Sequence, residues 1–528
     1  MTPPTLSRLS AVDASFLVQE RSGSHMQIGG IMVFEGPAPD IEDFKHHIES
    51  RMHFVPRYRQ RLVYPPMQAG RPFWTDDPDF NIAYHVRDAA LPSPGNDEQL
   101  ERLCARIYSQ RLDRHKPLWE MWIVDGLSGG RFALIMKNHH ALIDGIAGVD
   151  VATILLSPDP NEGLQEIPPW CPAPMPTQGE LLELGLRDAV AAPFKLGKNL
   201  VGLARGDQAV REDFAGFTDG VTKAVSETLD AAPRTPLNQP ISQHRRFRLV
   251  RNSLDEFREI KSLLDTTVND VVLTVTSDAL GRWLRSRYYP TDGLKLRALV
   301  PVSTRPKKKR GDNAHAGNEM LAMRGYLPVE EMDALKRLDY IKNSMEGLKQ
   351  SNQAIAADAL TAMQNFAPPT VLAQASRLNF STRLFNLLVT NVPGPQLPLY
   401  LLGRQMLDVF PVPFLAENHT LAIGVMSYNG GINFGVLADY DAVPDVQVIA
   451  DAISDSRDDL LDAASQVKAK VREVMHSGDT SRLTRGPAIK KARAASKVNA
   501  EPNVNGKPTA ASDDRRAERG VPSQSTSR

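Results

Sequence analysis

The sequence is poor in cysteine and lacks long apolar runs. Its 528 residues include two cysteines, Cys104 and Cys171, which excludes a small secreted scaffold held by several disulfides. Free thiols in a reducing cytoplasm are the expected state. The N-terminus has no basic region followed by an apolar core, and no apolar run reaches about 18 residues. We therefore expect neither a signal peptide nor a transmembrane helix. If the protein binds lipid, it would do so from the surface of a membrane or lipid droplet.

Net charge is also absent, because 62 lysines and arginines balance 62 acidic residues. This balance gives no reason to expect a nucleic-acid partner. The charge is nevertheless uneven. Residues 477–528 carry eleven lysines and arginines against five acidic residues, and they show no periodic pattern. This basic tail is predicted to be disordered, and it is either an interaction arm or a solvated terminus.

The chain is too long for a single compact core, so we expect more than one domain. Strand-like and helix-like patterns mix in residues 1–172 and again in 241–476, which predicts two α+β domains of mixed sheets with flanking helices. In the first domain, Asp125-Gly126 and Gly129-Gly130 predict a hairpin between two short apolar strands. In the second, a long helix is predicted over 267–288, with one apolar face made by Val271, Val275, Ala279 and Trp283. Residues 173–240 are predicted to be a linker that contains an amphipathic helix. This helix either packs between the domains or lies on a membrane or lipid droplet.

The segment most informative about chemistry is HHALIDG, which begins with His139 and His140. An apolar alternating strand leads into it and is expected to end near Lys137, leaving both histidines on the connection. A loop at the end of a strand can present a catalytic side chain, and a histidine there can remove the proton of an alcohol. An ordinary surface loop is the competing interpretation. A metal site is not expected, because adjacent histidines rarely bind one ion.

HHALIDG matches the HHxxxDG motif of CoA-dependent acyltransferases. Other segments resemble one particular family within that superfamily. The chain resembles the bacterial wax ester synthase/diacylglycerol O-acyltransferase family in LSAVDASF, LDRHKPLWEMWIVDGL, VNDVVL, PVSTR with a later GNE, and NVPGP. These segments follow the family's order through residues 1–475. The resemblance implies two chloramphenicol-acetyltransferase-like domains with a tunnel between them, in which acyl-CoA and an alcohol meet.

By the same resemblance His140 is the proton acceptor, and His139 and Asp144 support the loop. Gly145 leaves space where a side chain would crowd the tunnel. No cofactor is expected, because acyl-CoA is a substrate. The expected reaction makes triacylglycerol from diacylglycerol, with a fatty alcohol that yields wax ester as the alternative acceptor.

Four further candidate sites each have a competing structural interpretation. The segment Pro117, Leu118 and Trp119 either lines the acyl channel or forms a packed turn. Asn269 either caps a helix or donates a hydrogen bond to the oxyanion, and Asn391 lies in a rigid turn that either faces the tunnel or is purely structural. A basic run either binds the CoA phosphates, attracts lipid headgroups or is simply solvated; it comprises Lys307, Lys308, Lys309 and Arg310.

Two rival functions remain at this point. A stand-alone condensation domain shares the HHxxxDG segment, but it would take acyl groups from a carrier protein. A non-catalytic protein of lipid surfaces would use the basic tail and the amphipathic helix. Dependence on CoA and retention of His140 as a working base distinguish the expected enzyme from both.

Overall fold

The computed structural model describes residues 6–68, 70–142, 155–187, 231–303, 320–352 and 382–477. The helices are α1 Ala11–Gln19, α2 Ile41–Arg51, α3 Ile82–His85, α4 Asp97–Tyr108, α5 Leu254–Leu264, α6 Val268–Ser286, α7 Ala334–Asn352 and α8 Val446–Ser477. The strands are β1 Leu6–Arg8, β2 Gln27–Phe34, β3 Gln60–Val63, β4 Phe73–Asp76, β5 Val86–Ala90, β6 Trp119–Leu127, β7 Arg131–His139, β8 Arg245–Ser253, β9 Lys295–Ser303, β10 Met320–Pro328, β11 Leu387–Pro393, β12 Tyr400–Leu401, β13 Arg404–Val412, β14 Leu421–Tyr428 and β15 Gly431–Asp439.

A six-stranded mixed sheet holds the segment that precedes the paired histidines. Its strand order is β12-β13-β2-β7-β6-β5, with β5 parallel to β6 and the other pairs antiparallel. The hairpin between β6 and β7, predicted from its glycines, turns at Gly129 and Gly130, both with positive φ. Apolar residues of β7 are buried on both faces, which makes this strand central to the sheet.

One strand of this sheet comes from much later in the chain. β13 pairs antiparallel with β2, so that Phe410 lies opposite Ile31 and Val409 opposite Met32. The sequence patterns did not predict β13. The first sheet is therefore not built from residues 1–172 alone, and the predicted domain boundaries remain predictions.

A second six-stranded sheet has the order β10-β9-β11-β14-β15-β8. β11 runs parallel to both β9 and β14, and the other pairs are antiparallel. Helices α6 and α7 pack on each other and against β10. α6 is buried along most of its length, including Val271, Val275, Ala279 and Trp283, which the sequence had placed on one apolar face.

A small sheet, β1-β4-β3, completes the described strands. Mixed sheets with flanking helices make this an α+β fold, as predicted. Of the predicted linker helix, residues 178–187 are described and helical, and its continuation and the basic tail from residue 478 lie outside the described residues. None of the described helices combines the length and hydropathy needed to cross a membrane. Cys104 is buried, Cys171 is exposed, and both thiols are free.

Residues up to Gln466 form one compact unit. Those from Val467 onward form a second, whose described part is the C-terminal end of α8.

Candidate active site

The paired histidines lie where β7 ends. His139 is the last residue of the strand, and His140 begins a short 3-10 turn, His140–Leu142. The prediction that the strand ends near Lys137 was wrong by two residues, because β7 stays paired with β2 up to the contact of His139 with Gln27. The sheet therefore fixes the backbone of His139, whereas His140 is presented from a turn.

His140 is held by one backbone hydrogen bond and two aromatic rings. Its amide donates to the carbonyl oxygen of Met26 at 2.9 Å. Its imidazole stacks on Phe16, with ring centroids 3.8 Å apart and an angle of 18° between the planes. Phe414 meets the same imidazole edge-on at 5.7 Å. Aromatic contacts of this kind restrict the orientation of a ring, so the partly exposed His140 side chain is oriented before any substrate binds.

His139 has a different environment and is 1% exposed. Its Nδ1 accepts a hydrogen bond from the amide of Ala141 at 3.1 Å. The proton of the neutral ring must therefore be on Nε2. Nε2 faces the carboxylate of Glu20, with Oε2 at 3.8 Å. A ring with one nitrogen accepting from the backbone and the other buried suits support of the turn and not contact with a substrate. The supporting role of His139 stays a prediction.

Both imidazoles are neutral at physiological pH. Burial lowers the pKa of His140 to about 4. Burial, and then the charge of Arg114, lower the pKa of His139 to about 3. Desolvation disfavours the charged form of a histidine, which accounts for the direction of both shifts. His140 therefore carries a free lone pair at pH 7, which a proton acceptor requires.

The buried Glu20 forms an ion pair with the partly exposed Arg114 beside His139. Nε of Arg114 donates to Oε2 of Glu20 at 2.8 Å, and Nη2 of Arg114 contacts the same oxygen. Nη2 also donates to the carbonyl oxygen of Leu17 at 2.8 Å, near the end of α1. The Glu20 side chain is 3% exposed. This pair anchors the helix that carries Phe16.

The structure brings two other predicted residues together. Asn391 lies within strand β11 and not in the predicted turn, because β11 stays paired with β14 up to Pro393. Its Nδ2 donates to Oδ1 of Asn269 at 3.2 Å. The prediction that Asn269 caps α6 is not met, because Thr267 accepts from the amide of Asp270 and Asp270 closes the capping box. The Asn391 contact uses the oxygen of Asn269, and no described residue accepts a hydrogen bond from its Nδ2 group. An oxyanion contact would require such a donor.

Trp119 is a core residue with contacts on several sides. It is 0% exposed, its Nε1 donates to the carbonyl oxygen of Tyr58 at 2.7 Å, and its ring stacks on His85 at 4.5 Å. Leu118 is equally buried and accepts from the amide of His139 at 2.9 Å. These contacts favour the packed-turn interpretation of Pro117, Leu118 and Trp119, and a substrate contact stays a prediction.

Several predicted site residues lie outside the described residues, namely Asp144, Gly145, Lys307, Lys308, Lys309 and Arg310. Within the part of the chain that is described, no group of three or more His, Cys, Asp or Glu side chains could hold a metal ion.

The sequence interpretation missed the side chains that surround the two histidines. Phe16 is the last residue of LSAVDASF and Arg114 lies within LDRHKPLW, so the family-like segments did mark their neighbourhood. Glu20 and Phe414 lie in no such segment. The local sequence does not distinguish Glu20 from an ordinary charged surface residue, or Phe414 from an ordinary core residue.

Two family models match the chain. The wax ester synthase/diacylglycerol acyltransferase catalytic domain matches residues 9–272, and the WS/DGAT C-terminal domain matches residues 316–460. A probable diacylglycerol O-acyltransferase of Mycobacterium tuberculosis is 33% identical over 85% of this chain and 95% of its own length. The O-acyltransferase WSD of Acinetobacter baylyi is 32% identical over 83% of this chain and 93% of its own length.

Solved structures give the same result. The wax ester synthase/diacylglycerol acyltransferase from Marinobacter aquaeolei VT8 matches with a TM-score of 0.60 and 28% identity, covering 87% of this chain and 100% of that chain. A starter condensation domain of rhizomide synthetase has a TM-score of 0.50 at 12% identity, covering 87% and 95%, and shares the fold alone. The fold likeness and the resemblance seen in the motifs are thus confirmed, and the chain belongs to the wax ester synthase/diacylglycerol acyltransferase family.

Proposed function

We propose that this O-acyltransferase moves a long-chain acyl group from acyl-CoA to the free hydroxyl of diacylglycerol, with His140 as the general base. The observation that carries the proposal is the state of His140. Its imidazole is neutral, partly exposed and fixed against Phe16 at the end of a rigid strand. The mycobacterial relative's name supports diacylglycerol as the acceptor.

The chemistry needs one base and no protein nucleophile, because a thioester is already activated. In this proposal Nδ1 of His140 carries the ring proton and Nε2 carries the lone pair. Nε2 takes the hydroxyl proton as the alcohol oxygen attacks the thioester carbon. The tetrahedral intermediate then collapses, the carbon–sulfur bond breaks, and the imidazolium returns the proton to the sulfur of CoA.

Negative charge develops on the former carbonyl oxygen during attack, and a fixed donor stabilises it. Asn269 supplies the donor in this proposal. Its amide is oriented by the hydrogen bond from Asn391, and the free Nδ2 group is the one that would donate. The reaction uses no cofactor, since acyl-CoA brings the activated group.

A fatty alcohol, which would give wax ester, is the second candidate acceptor. The Marinobacter structure has wax ester synthase in its name, and so does the catalytic-domain family model that matches this chain. Both acceptors expose a primary or secondary hydroxyl at the end of an apolar body, so the same base serves either. Because both are lipids, we place the working enzyme in the cytoplasm, bound peripherally at a membrane or lipid droplet surface.

A two-acceptor assay tests the proposal. Purified protein is incubated with labelled palmitoyl-CoA and either diacylglycerol or hexadecanol in phosphatidylcholine vesicles, without any carrier protein. Triacylglycerol formation is expected, and His140→Ala should abolish it. The control is His419→Ala, because the His419 ring also stacks on a phenylalanine, Phe385, at 4.1 Å. Wax ester alone would reassign the acceptor, and full activity of His140→Ala would refute the role of the base.

A further inference from the structure

We infer that Glu20, clamped by Arg114, is a positioning residue that fixes the tautomer of His139 and through it the turn that presents His140. This role rests on the proposed function of His140 as base. Glu20 touches neither reacting group. It would act through two contacts in series, from its carboxylate to Nε2 of His139 and from Nδ1 of His139 to the amide of Ala141.

The tautomer is the first step. Ala141 donates to Nδ1 of His139, which is possible only while that nitrogen has no proton. The neutral ring therefore carries its proton on Nε2, which is buried and has no hydrogen-bond partner among the described residues. Within 4 Å, the described residues offer one carboxylate to Nε2, which is that of Glu20. A negative charge facing Nε2–H favours this tautomer over the one that would break the Ala141 contact.

The turn is the second step. The amide of Ala141 lies one residue after His140, within the 3-10 turn His140–Leu142. Fixing that amide on Nδ1 of His139 fixes the backbone from which the His140 side chain projects. If His139 changed tautomer, a protonated Nδ1 would face the amide of Ala141, and two donors cannot pair. The turn would then have to move, and His140 with it.

The clamp is the third step, because a carboxylate can direct His139 only if it is itself held still. Arg114 binds Oε2 of Glu20 through two nitrogens, and it also binds the carbonyl oxygen of Leu17. Bidentate pairs of this kind restrict geometry more than single contacts do. The same helix end carries Phe16, whose ring stacks on His140. One anchored segment therefore orients both histidines.

The charge of Arg114 adds a separate constraint. After burial, this positive charge contributes to the lowered pKa of His139, so it opposes protonation of that ring. The nearby buried ammonium of Lys137 is paired elsewhere, with Nζ 3.6 Å from Oε2 of Glu120.

The test compares Glu20→Gln with Glu101→Gln in the full-length protein. Glu101 is the matched control, because its side chain is 8% exposed and also binds one arginine, Arg248, at 3.1 Å. Rates are measured with palmitoyl-CoA and diacylglycerol in phosphatidylcholine vesicles. For Glu20→Gln we expect kcat to fall about 10- to 100-fold, since a small misplacement of a catalytic group has this effect. KM should stay within about twofold, since substrate contacts are unchanged. Glu101→Gln should keep the wild-type kcat.

The second readout needs no turnover. In protein labelled with ¹⁵N-histidine, the ring nitrogens of His139, assigned with a His139→Asn variant, should report the Nε2–H tautomer. Glu20→Gln should change the ¹⁵N chemical shifts of these ring nitrogens, and Glu101→Gln should leave them unchanged. Unchanged shifts overturn the inference even if kcat falls, and so does an unchanged kcat. If wild-type protein forms no ester with either alcohol, the proposed function fails, and the nitrogen shifts alone decide the role of Glu20.

Discussion

The imidazole of His140 lies almost flat on the phenyl ring of Phe16, with 3.8 Å between the ring centroids. Phe16 belongs to α1, whereas His140 follows β7, so the stack joins two elements that are far apart in the chain. The contact fixes the plane of the ring without using either of its nitrogens.

Loss of this stack is expected to impair catalysis more than folding. Phe16→Leu keeps an apolar side chain but removes the flat surface, so we expect kcat to fall about tenfold with KM little changed. Steady-state kinetics measure this. The control is Phe385→Leu, which removes the similar stack on His419 and should lower thermal stability without selectively lowering kcat. Equal effects of the two substitutions on kcat would contradict a specific role for Phe16.

The pH dependence of kcat/KM follows from the pKa of His140. Burial lowers this pKa to about 4, so the ring is already deprotonated well below neutrality. We expect kcat/KM to remain level from about pH 8 down to about pH 6, because the base is neutral throughout that interval. Short assays with tryptophan fluorescence recorded in parallel would separate titration from unfolding. An inflection near the ordinary histidine pKa would show that His140 is not desolvated in the free enzyme.

Acid should unfold the protein through its buried histidines. Burial lowers the pKa of five of them to about 3 or 4, namely His25, His47, His85, His139 and His419. The unfolded chain takes up these protons first as pH falls from about 6.5 towards 4, so folding stability is lost across that window. Each group contributes on the order of 2–3 kcal/mol, and together they exceed the usual stability of a domain.

Glu101 acts in the opposite direction, because burial raises its pKa to about 7, but it is one group against five. We therefore expect unfolding before pH 4 is reached. Urea titrations at a series of pH values measure how the free energy of unfolding changes with pH. A free energy of unfolding that stays constant from pH 7 to pH 4 would contradict the predicted desolvation of these rings.

The Asn269 amide offers a test of oxyanion stabilisation. Asn269→Asp keeps the shape of the side chain and the acceptor for Asn391 but removes the Nδ2 donor, and we expect kcat to fall about 100-fold or more. A second asparagine pair gives the control, because Nδ2 of Asn386 donates to Oδ1 of Asn238 at 2.6 Å. Asn238→Asp should leave kcat unchanged. If Asn269→Asp retains wild-type kcat, the donor lies elsewhere.

Local sequence patterns predicted those parts of the molecule that local physics determines. The β6–β7 hairpin, the buried helix α6 and the position of His139 and His140 at a strand end all follow from alternation, turn residues and a motif. The error in the end of β7 was small, because strand pairing and not hydropathy decides where a strand stops.

Contacts between distant segments were not predictable in this way. Glu20 and Arg114 lie 94 positions apart, and Asn269 and Asn391 lie 122 apart. Each residue alone has the sequence context of an ordinary surface or loop side chain. Only the folded sheets reveal that one pair clamps a helix end and that the other joins β11 to the first turn of α6.

The place of β13 has a consequence for the order of events during synthesis. β2 cannot acquire its outer neighbour until the ribosome has made residues 404–412. At roughly 5–20 residues per second this takes roughly 20–80 s after β2 itself is made. Throughout that interval β2 presents open backbone amides and carbonyls, which recruit other chains. A fragment that ends before β13 should therefore aggregate, and the nascent protein depends on protection of this edge until its late strand arrives.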